Sequence, residues 1–351
     1  MKYIIVIITF FLSYAVIAES GFVIIQNQIK DHIQKHEYEE AKELKNQYLN
    51  SANKSLPYQS KEFAIVLSDL SLLYEGLGDY DQAIKYQEEI LEIYTDIKDY
   101  YGMAISLNNL SSMNNDLGKF SISIDYAVQS IDLLIKHYGD DTQYLVEPLI
   151  SRGVALQKKG NYLESIEFFQ KATSIELANR KRDSVIANIS NNIGVSFSYA
   201  GNYAEAVQYY TKAIEIRERI FGSNDPSVAG VLNSLGQIYV LLNELDLAER
   251  TLLRGLYIRE KNFGDDHLLT IRSKMNLSIF YNYSGQGEKG AETLEGVIDP
   301  LINQFGFYHP ETYKTFIALS SYYSGEGDNF EKSEEYGLKA LEIGEKILDP
   351  L

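Results

Sequence analysis

The feature that most restricts this chain is internal repetition. GDYDQA from Gly78, GKFSIS from Gly118, GNYLES from Gly160, GNYAEA from Gly201 and NELDLA from Asn243 follow one pattern, and GQGEKG from Gly285 is a degraded copy. Their starts recur at a nearly constant interval of about 42 residues, within the range of helical repeat arrays. HEYEEA from His36 extends the series backwards by one such interval, and GDNFEKS from Gly327 extends it forwards by one, with a single residue inserted. Phe221-Gly222, Phe263-Gly264 and Phe305-Gly306 recur at the same interval and fix the register independently. A chain of 351 residues exceeds one ordinary core. A repeat of this length instead signals stacked units, none able to bury its apolar face alone.

Apolar spacing is helical on both sides of each Gly turn. In the fifth unit Ile193, Gly194 and Phe197 precede Gly201, while Tyr203, Ala206, Tyr210, Ala213 and Ile214 follow it. The sixth gives Leu232, Leu235, Gly236 and Tyr239 before the turn, then Ala248 and Leu252. Each unit therefore reads as an antiparallel helix pair. Gly at the turn supplies the left-handed residue that ends the first helix. The small residues Ala83, Ser165, Ala206 and Ala248 let two backbones approach.

The order Leu-Gly-x-x-Tyr, Gly-x-Tyr, Ala, aromatic, Ala resembles the tetratricopeptide repeat, matched best by Gly194, Phe197, Gly201, Tyr203, Ala206, Tyr210 and Ala213. The long period, the run Leu107-Asn108-Asn109-Leu110 and the linker Phe221-Gly222-Ser223-Asn224-Asp225-Pro226 resemble the longer variety found in kinesin light chains and similar bacterial arrays. The resemblance implies an all-α fold: a right-handed superhelical solenoid of about eight antiparallel helix pairs over residues 19–351, in units of approximately 22–60, 61–101, 102–143, 144–184, 185–226, 227–268, 269–310 and 311–351. The first unit (Ile25, Ile29, His36, Tyr38, Ala41) departs from the pattern as a terminal cap would. In the seventh, Gly290 replaces the usual Ala, and Pro300 is expected to kink or end the second helix.

The N-terminus carries a different signal. Lys2 precedes an unbroken apolar run from Tyr3 to Ala18, with Val16 and Ala18 at the positions a signal peptidase reads. As a helix that run spans about 24 Å, short of a bilayer core of roughly 30 Å. Residues 1–18 are therefore expected to be a cleaved signal peptide, and no stable membrane span is expected to remain. With Lys2 gone, one positive charge is lost from a chain of net charge −17, which leaves −18. The absence of cysteine excludes disulfides, thiolate metal sites, cysteine nucleophiles and a lipid-modified cysteine after the run. Asn-x-Ser glycan acceptor patterns at Asn53, Asn109, Asn188, Asn276 and Asn282 place three of five inside expected helices, where a glycan does not fit. That points to bacterial export, periplasmic or extracellular, over a eukaryotic secretory route.

No catalytic constellation is legible. His32 and His36 share a helix face, but His-Ile-Gln-Lys-His lacks the glutamate base of a zinc-peptidase motif. His137, His267 and His309 fall in linkers, and Asp140-Asp141 and Asp265-Asp266 read as solvated loops. No strand precedes any glycine cluster, so no phosphate-binding loop is expected. The expectation is no enzyme, no catalytic residue, no metal and no cofactor. Nucleic acid is excluded as a partner by the net charge.

In a helix-pair solenoid the first helices line the concave side. Counting from the core positions, the groove candidates are Asn108, Asn109, Ser112 and Asn115; then Asn188, Asn191, Asn192 and Tyr199; then Asn233 and Gln237; then Asn276, Asn282 and Tyr283. Asparagine donates and accepts, so a column of amides can pair with the backbone of an extended peptide whatever its sequence. By resemblance to kinesin-light-chain arrays, Asn109, Asn192 and Asn276 carry that role. Ile150 and Ser151 interrupt the column. The same asparagines also fit a plainer role, hydrogen bonding between neighbouring repeats. A carboxylate-clamp lysine would occupy the position of Ser68, Asn108, Ile150, Asn191, Asn233, Met275 and Ile317, none of them basic. A neutral or basic protein or peptide partner is therefore favoured, steered by the net charge. Two other functional classes compete with such a scaffold: self-assembly through the last repeat, and service as the sensory or regulatory part of a larger enzyme system.

Overall fold

The structure is a computed structural model that describes residues 21–325 and 329–347. The expected signal peptide at 1–18, Gly327 and the chain end from Leu348 lie outside the described residues. Within them every regular element is helical: sixteen α-helices and one short 3-10 turn. The chain divides into two compact units, Met1–Arg180 and Lys181–Leu351.

The first unit contains α1 (residues 21–34) with α2 (Tyr38–Ser55), α3 (Lys61–Gly76) with α4 (Tyr80–Asp96), α5 (Tyr100–Asp116) with α6 (Phe120–Tyr138), and α7 (Val146–Lys158) with α8 (Tyr162–Asn179). The second contains α9 (Asp183–Tyr199) with α10 (Tyr203–Phe221), α11 (Pro226–Leu241) with α12 (Leu245–Phe263), α13 (Leu268–Tyr283) with α14 (Gly287–Phe305), and α15 (Pro310–Ser324) with α16 (Phe330–Ile347). From α3 to α16 each helix packs on its pair partner, and within the units α2, α4, α6, α10, α12 and α14 each pack on the first helix of the next pair. In both units this is the all-α stack of helix pairs that the repeat implies.

Local chemistry sets the boundaries. Ser60, Asp79, Asp99 and Asp225 cap their helices by accepting from Phe63 N, Gln82 N, Gly102 N and Ser227 N at 2.8–3.1 Å. Between the helices of a pair, Gly201 adopts φ +80°, and Asn202 N reaches back to Phe197 O at 2.9 Å, which uses a carbonyl the helix end leaves open. Where the repeat lacks Gly, His36 and Asn243 take φ +60°, so the worn copies make the same turn.

The crossing of the two helices is a small-under-large contact at fixed register. A Cβ on Gly153 would lie 2.6 Å from the Phe169 ring, on Gly194 2.8 Å from the Tyr210 ring, and on Gly236 2.6 Å from Leu252 Cγ. Ala83, Ser165, Ala206 and Ala248 beside this contact are fully buried. The first unit's core runs through Ile29, Tyr48, Phe63, Leu67, Leu70 and Leu73. In the second, Tyr210, Val228, Val231, Leu232, Leu235 and Ile258 form the corresponding cluster.

Of the two outcomes expected at Pro300, a kink or an end, the end does not occur: α14 runs on through Pro300 to Phe305. A proline inside a helix costs about 3 kcal/mol. Leu294, Val297 and Leu301 on the same helix are buried, at roughly 1.5–3 kcal/mol each, and packing outweighs the lost backbone bond. The residue four positions earlier is Gly296, with open space where its Cβ would be.

Candidate functional site

Consecutive first helices touch one another, α5 with α7 in the first unit and α9 with α11 and α11 with α13 in the second, so in each unit they form a shared inner face. The accessible positions on that face follow one stripe that runs back from the turn at the three-to-four spacing of a single helix side.

In the first unit this face is apolar and acidic. Ile65 and Leu72 of α3 and Ile105 of α5 are exposed. Asn109 and Ser112 of α5 line a cavity of about 200 Å³ with Ser68, Leu72 and Glu75 of α3. Burial raises the Glu75 carboxyl pKa above the ordinary range, and the neighbouring Asp116 raises it further. Asn108 and Asn115 do something else. Asn108 Oδ1 accepts from Ser151 Oγ at 2.8 Å and Asn115 Nδ2 donates to Ser151 O at 3.2 Å. Ser151, which interrupts the amide column in sequence, is their shared partner on α7; these two amides join repeats.

In the second unit Asn188 is exposed on α9 and its Oδ1 accepts from Arg217 Nη2 at 3.0 Å. Asn191 and Asn192 are half-buried on the inner stripe, as is Asn276 on α13, and Gln237 of α11 is exposed. Asn233 departs from expectation: it is 4% exposed and donates to Ser273 Oγ at 2.8 Å, between helices rather than on the face. Its column stands one residue off the centre of the stripe, enough to rotate it into the contact between α11 and α13. Asn282 also turns inward. Its Oδ1 is buried against Gly290 and has no partner, which explains why glycine stands where alanine is usual: a methyl there would strike this amide and Ser278 O.

Two patterns escaped the sequence reading, although both recur with the repeat. The first is a row: Tyr199 and Tyr283, each expected singly on the groove, and Leu241, not expected there, end α9, α13 and α11 at the same register and are 68%, 56% and 54% exposed; leucine broke the aromatic pattern. Together with Val195 and exposed Ile279 one turn earlier, they give the inner face of this unit an apolar row, in which Gln237 is the polar residue at the matching position of α11. The second pattern is Arg217 and Arg259, on second helices. Arg217 Nη1 donates to Ser227 O; Arg259 Nη1 donates to Leu269 O at 2.7 Å and to Ser273 Oγ at 2.8 Å. Each guanidinium thus ties its helix to the first turns of the next repeat. Burial lowers the pKa of both; nearby Asp225 opposes this at Arg217, whereas Arg272 adds to it at Arg259.

The histidines have structural partners. His267 and His309 cap α13 and α15 through Nδ1, accepting from Leu269 N and Glu311 N at 3.2 Å, and pack on Phe263 and Phe305. His137 stacks on Tyr100, His32 pairs with Glu37 and His36 with Tyr38. Among the described residues no three His, Asp or Glu side chains gather as metal ligands, and no helix is long and apolar enough to cross a membrane.

Stacked helix pairs with a small-under-large crossing and an accessible first-helix face define a class of protein-binding scaffold. The family model for the tetratricopeptide repeat matches residues 62–136, 144–219 and 185–261, more than half of the chain. The chain belongs to the tetratricopeptide-repeat family, in its kinesin-light-chain-like form. Protein KINESIN LIGHT CHAIN-RELATED 3 of Arabidopsis thaliana is 27% identical over 239 residues, covering 66% of this chain and 36% of that protein, so the chain spans about a third of that relative's length. The fold is similar to BtubC (BKLC) from P. vanneervenii, with 19% identity, TM-score 0.54, and coverage of 68% of this chain and 93% of that one. It is also similar to the apo form of the quorum sensor NprR from B. thuringiensis, with 15% identity, TM-score 0.68, and coverage of 94% and 88%.

Proposed function

We propose that this chain is an exported, non-catalytic scaffold that holds an extended peptide segment of a protein partner across the inner face of α9, α11 and α13. The observation that carries the reading is the exposed row Tyr199, Leu241 and Tyr283, repeated at one register on three adjacent first helices. One turn and two turns behind it stand groups able to bond a peptide backbone: Gln237, and Asn192 and Asn276. Helices packed about 10 Å apart match about three residues of a chain in the polyproline II conformation, which rises about 3.1 Å per residue and returns its side chains to the same side every third residue. A segment crossing them would therefore place an apolar side chain against this row at every third residue, with amides bonding its backbone between. The family supports binding of a protein or peptide, and NprR, a structural neighbour, is a quorum sensor. The net charge steers basic or neutral partners.

The test is selection from a random peptide library on the full chain, beside the triple variant Tyr199→Ala, Leu241→Ala, Tyr283→Ala. Loss of three exposed anchors is expected to weaken selected peptides at least about 100-fold with little change in melting temperature. Peptides that bind both proteins equally would reject the groove. Export is tested separately, by the N-terminal residue of the chain recovered from cell fractions: Glu19 outside the cytoplasm is expected, and an intact Met1 inside it would reject cleavage.

A second reading, association of copies through the last pair, draws on Leu338 and Leu341, each 59% exposed on α16, and on a cavity of about 620 Å³ lined by Tyr313, Ile317 and Leu341. Sedimentation of the parent beside Leu341→Glu decides it: a concentration-dependent size lost in the variant supports association, and equal monomers reject it.

A further inference from the structure

Arg217 and Arg259 occupy the same position in successive repeats, yet their surroundings differ in one respect. Both spend Nη1 on the following repeat. At Arg217, Nη2 is covered by Asn188 Oδ1 at 3.0 Å. The residue equivalent to Asn188, one period further on, is Gly230. A Cβ built there would have Arg259 Nη2 as its nearest neighbour, at 4.0 Å. Among the described residues, Nη2 of Arg259 has no hydrogen-bond partner.

Gly230 is not demanded by packing. It lies inside α11, where glycine costs about 1 kcal/mol relative to alanine, and a methyl would meet nothing closer than that 4.0 Å contact. Its effect is to leave a guanidinium edge uncovered on a half-exposed part of the inner face. The charge around that edge is also unusual for an acidic chain. The next residue in the column, Arg272, is exposed on α13 and pairs with Glu311 at 3.1 Å, but Glu311 is shared with Lys314 at 3.4 Å. Arg272 and Lys314 therefore share one carboxylate, and Arg272 also lies near enough to Arg259 to act on its charge. Asp225 acts on Arg217, whereas the charge that acts on Arg259 is the cation Arg272.

We infer that Arg259, uncovered by Gly230 and reinforced by Arg272, is a carboxylate-binding subsite of the inner face, so that the bound segment carries one Asp, Glu or free C-terminal carboxylate at a fixed distance from its apolar anchors. The inference rests on the groove reading above and sharpens it: the partner is a neutral or basic segment with a single acidic group at that point. This subsite is built from a second-helix arginine, so the lack of lysine in the first-helix column does not exclude it. A guanidinium edge offers two donors to a carboxylate, and such a charge-assisted pair in a half-buried site is stronger than a neutral one.

The experiment uses two random peptide libraries, with C-termini free or amidated, selected on the full chain, on Gly230→Asn and on Arg259→Met. Gly230→Asn reproduces the cover that the preceding repeat places on Arg217 and leaves the Nη1 bonds of Arg259 intact, so it is expected to fold with an unchanged or higher melting temperature. The parent is expected to enrich one fixed acidic position from the amidated library if a side chain supplies the carboxylate, or to enrich peptides only from the free library if the C-terminus does. Replacing that carboxylate by an amide is expected to weaken binding to the parent about tenfold and to leave binding to Gly230→Asn unchanged. The same acidic preference in Gly230→Asn, or enriched peptides without any acidic position, would overturn the subsite while leaving the groove standing. No enriched peptide at all would overturn both.

Discussion

The two units use one repeat but join successive copies by different chemistry. In the first, neighbouring pairs are tied by neutral groups and an ion pair: Ser151 to Asn108 and Asn115, and Lys61 to the capping carboxylate of Asp99 at 2.6 Å. In the second, arginines are added to neutral bonds such as that from Asn233 to Ser273. Arg217 and Arg259 reach the next first helix, and Arg254 pairs with Glu218 and donates to Ser223 O at 3.1 Å. The inner faces differ accordingly, with Glu75 and Asp116 on one and Arg259 and Arg272 on the other. A repeat core therefore does not dictate the sign of the surface it displays. The residues that stitch repeats together also set the charge of the face, because both tasks fall to side chains one or two positions apart on the same helix.

The largest expected effect tests what the units share. Phe169→Ala empties the crossing above Gly153, and Tyr210→Ala the crossing above Gly194; each is expected to cost about 3–5 kcal/mol, read by denaturant unfolding. Hydrogen exchange should show protection lost first in the unit that carries the change. Equal loss in both units would mean that the chain unfolds as one. Next comes the contrast in stitching. Removing the charged donor in Arg217→Met is expected to cost about 2 kcal/mol, against about 1 kcal/mol for the neutral bond lost in Asn108→Ala. Equal costs would erase the distinction.

Loss of the Asp99 cap in Asp99→Ala is expected to cost about 1 kcal/mol at neutral pH. The bond from Lys61, and those from backbone amides, hold the Asp99 pKa below the ordinary carboxylate range. Its contribution is therefore present above the ordinary aspartate pKa and lost as pH falls through its lower folded value. Glu75 has the opposite sign. Its folded pKa is raised, chiefly by burial, so its contribution to stability falls as pH rises from the ordinary glutamate value through the raised one and is constant above it. Glu75→Gln is expected to stabilise at neutral pH by less than about 1 kcal/mol, since solvent screens a half-exposed carboxylate, and to flatten that part of the pH profile. A destabilised Glu75→Gln would show that the first unit does not carry this acidic strain.

Much of the fold was legible because its rules are local. Glycine or asparagine at the turn, aspartate at the cap, and a small residue under a large one recur once per period or nearly so, and each acts within its own helix pair. That α14 continues past Pro300 was not legible, because burial of its helix depends on neighbouring repeats. The candidate site was legible only in outline. Asn109, Asn192, Gln237 and Asn276 do stand on the inner stripe, whereas Asn108, Asn115, Asn233 and Asn282 are engaged in packing between or within repeats.

The sequence by itself determined the repeat, its register, the helix pairs and the absence of thiol chemistry, because period and composition need no partner to be read. Only the tertiary structure decided which amides face the groove and which arginine edge is left open. Adjacent positions on a helix differ by about 100° of rotation, and their partners, such as Ser151 for Asn108 or Ser273 for Asn233, lie a whole repeat away along the chain.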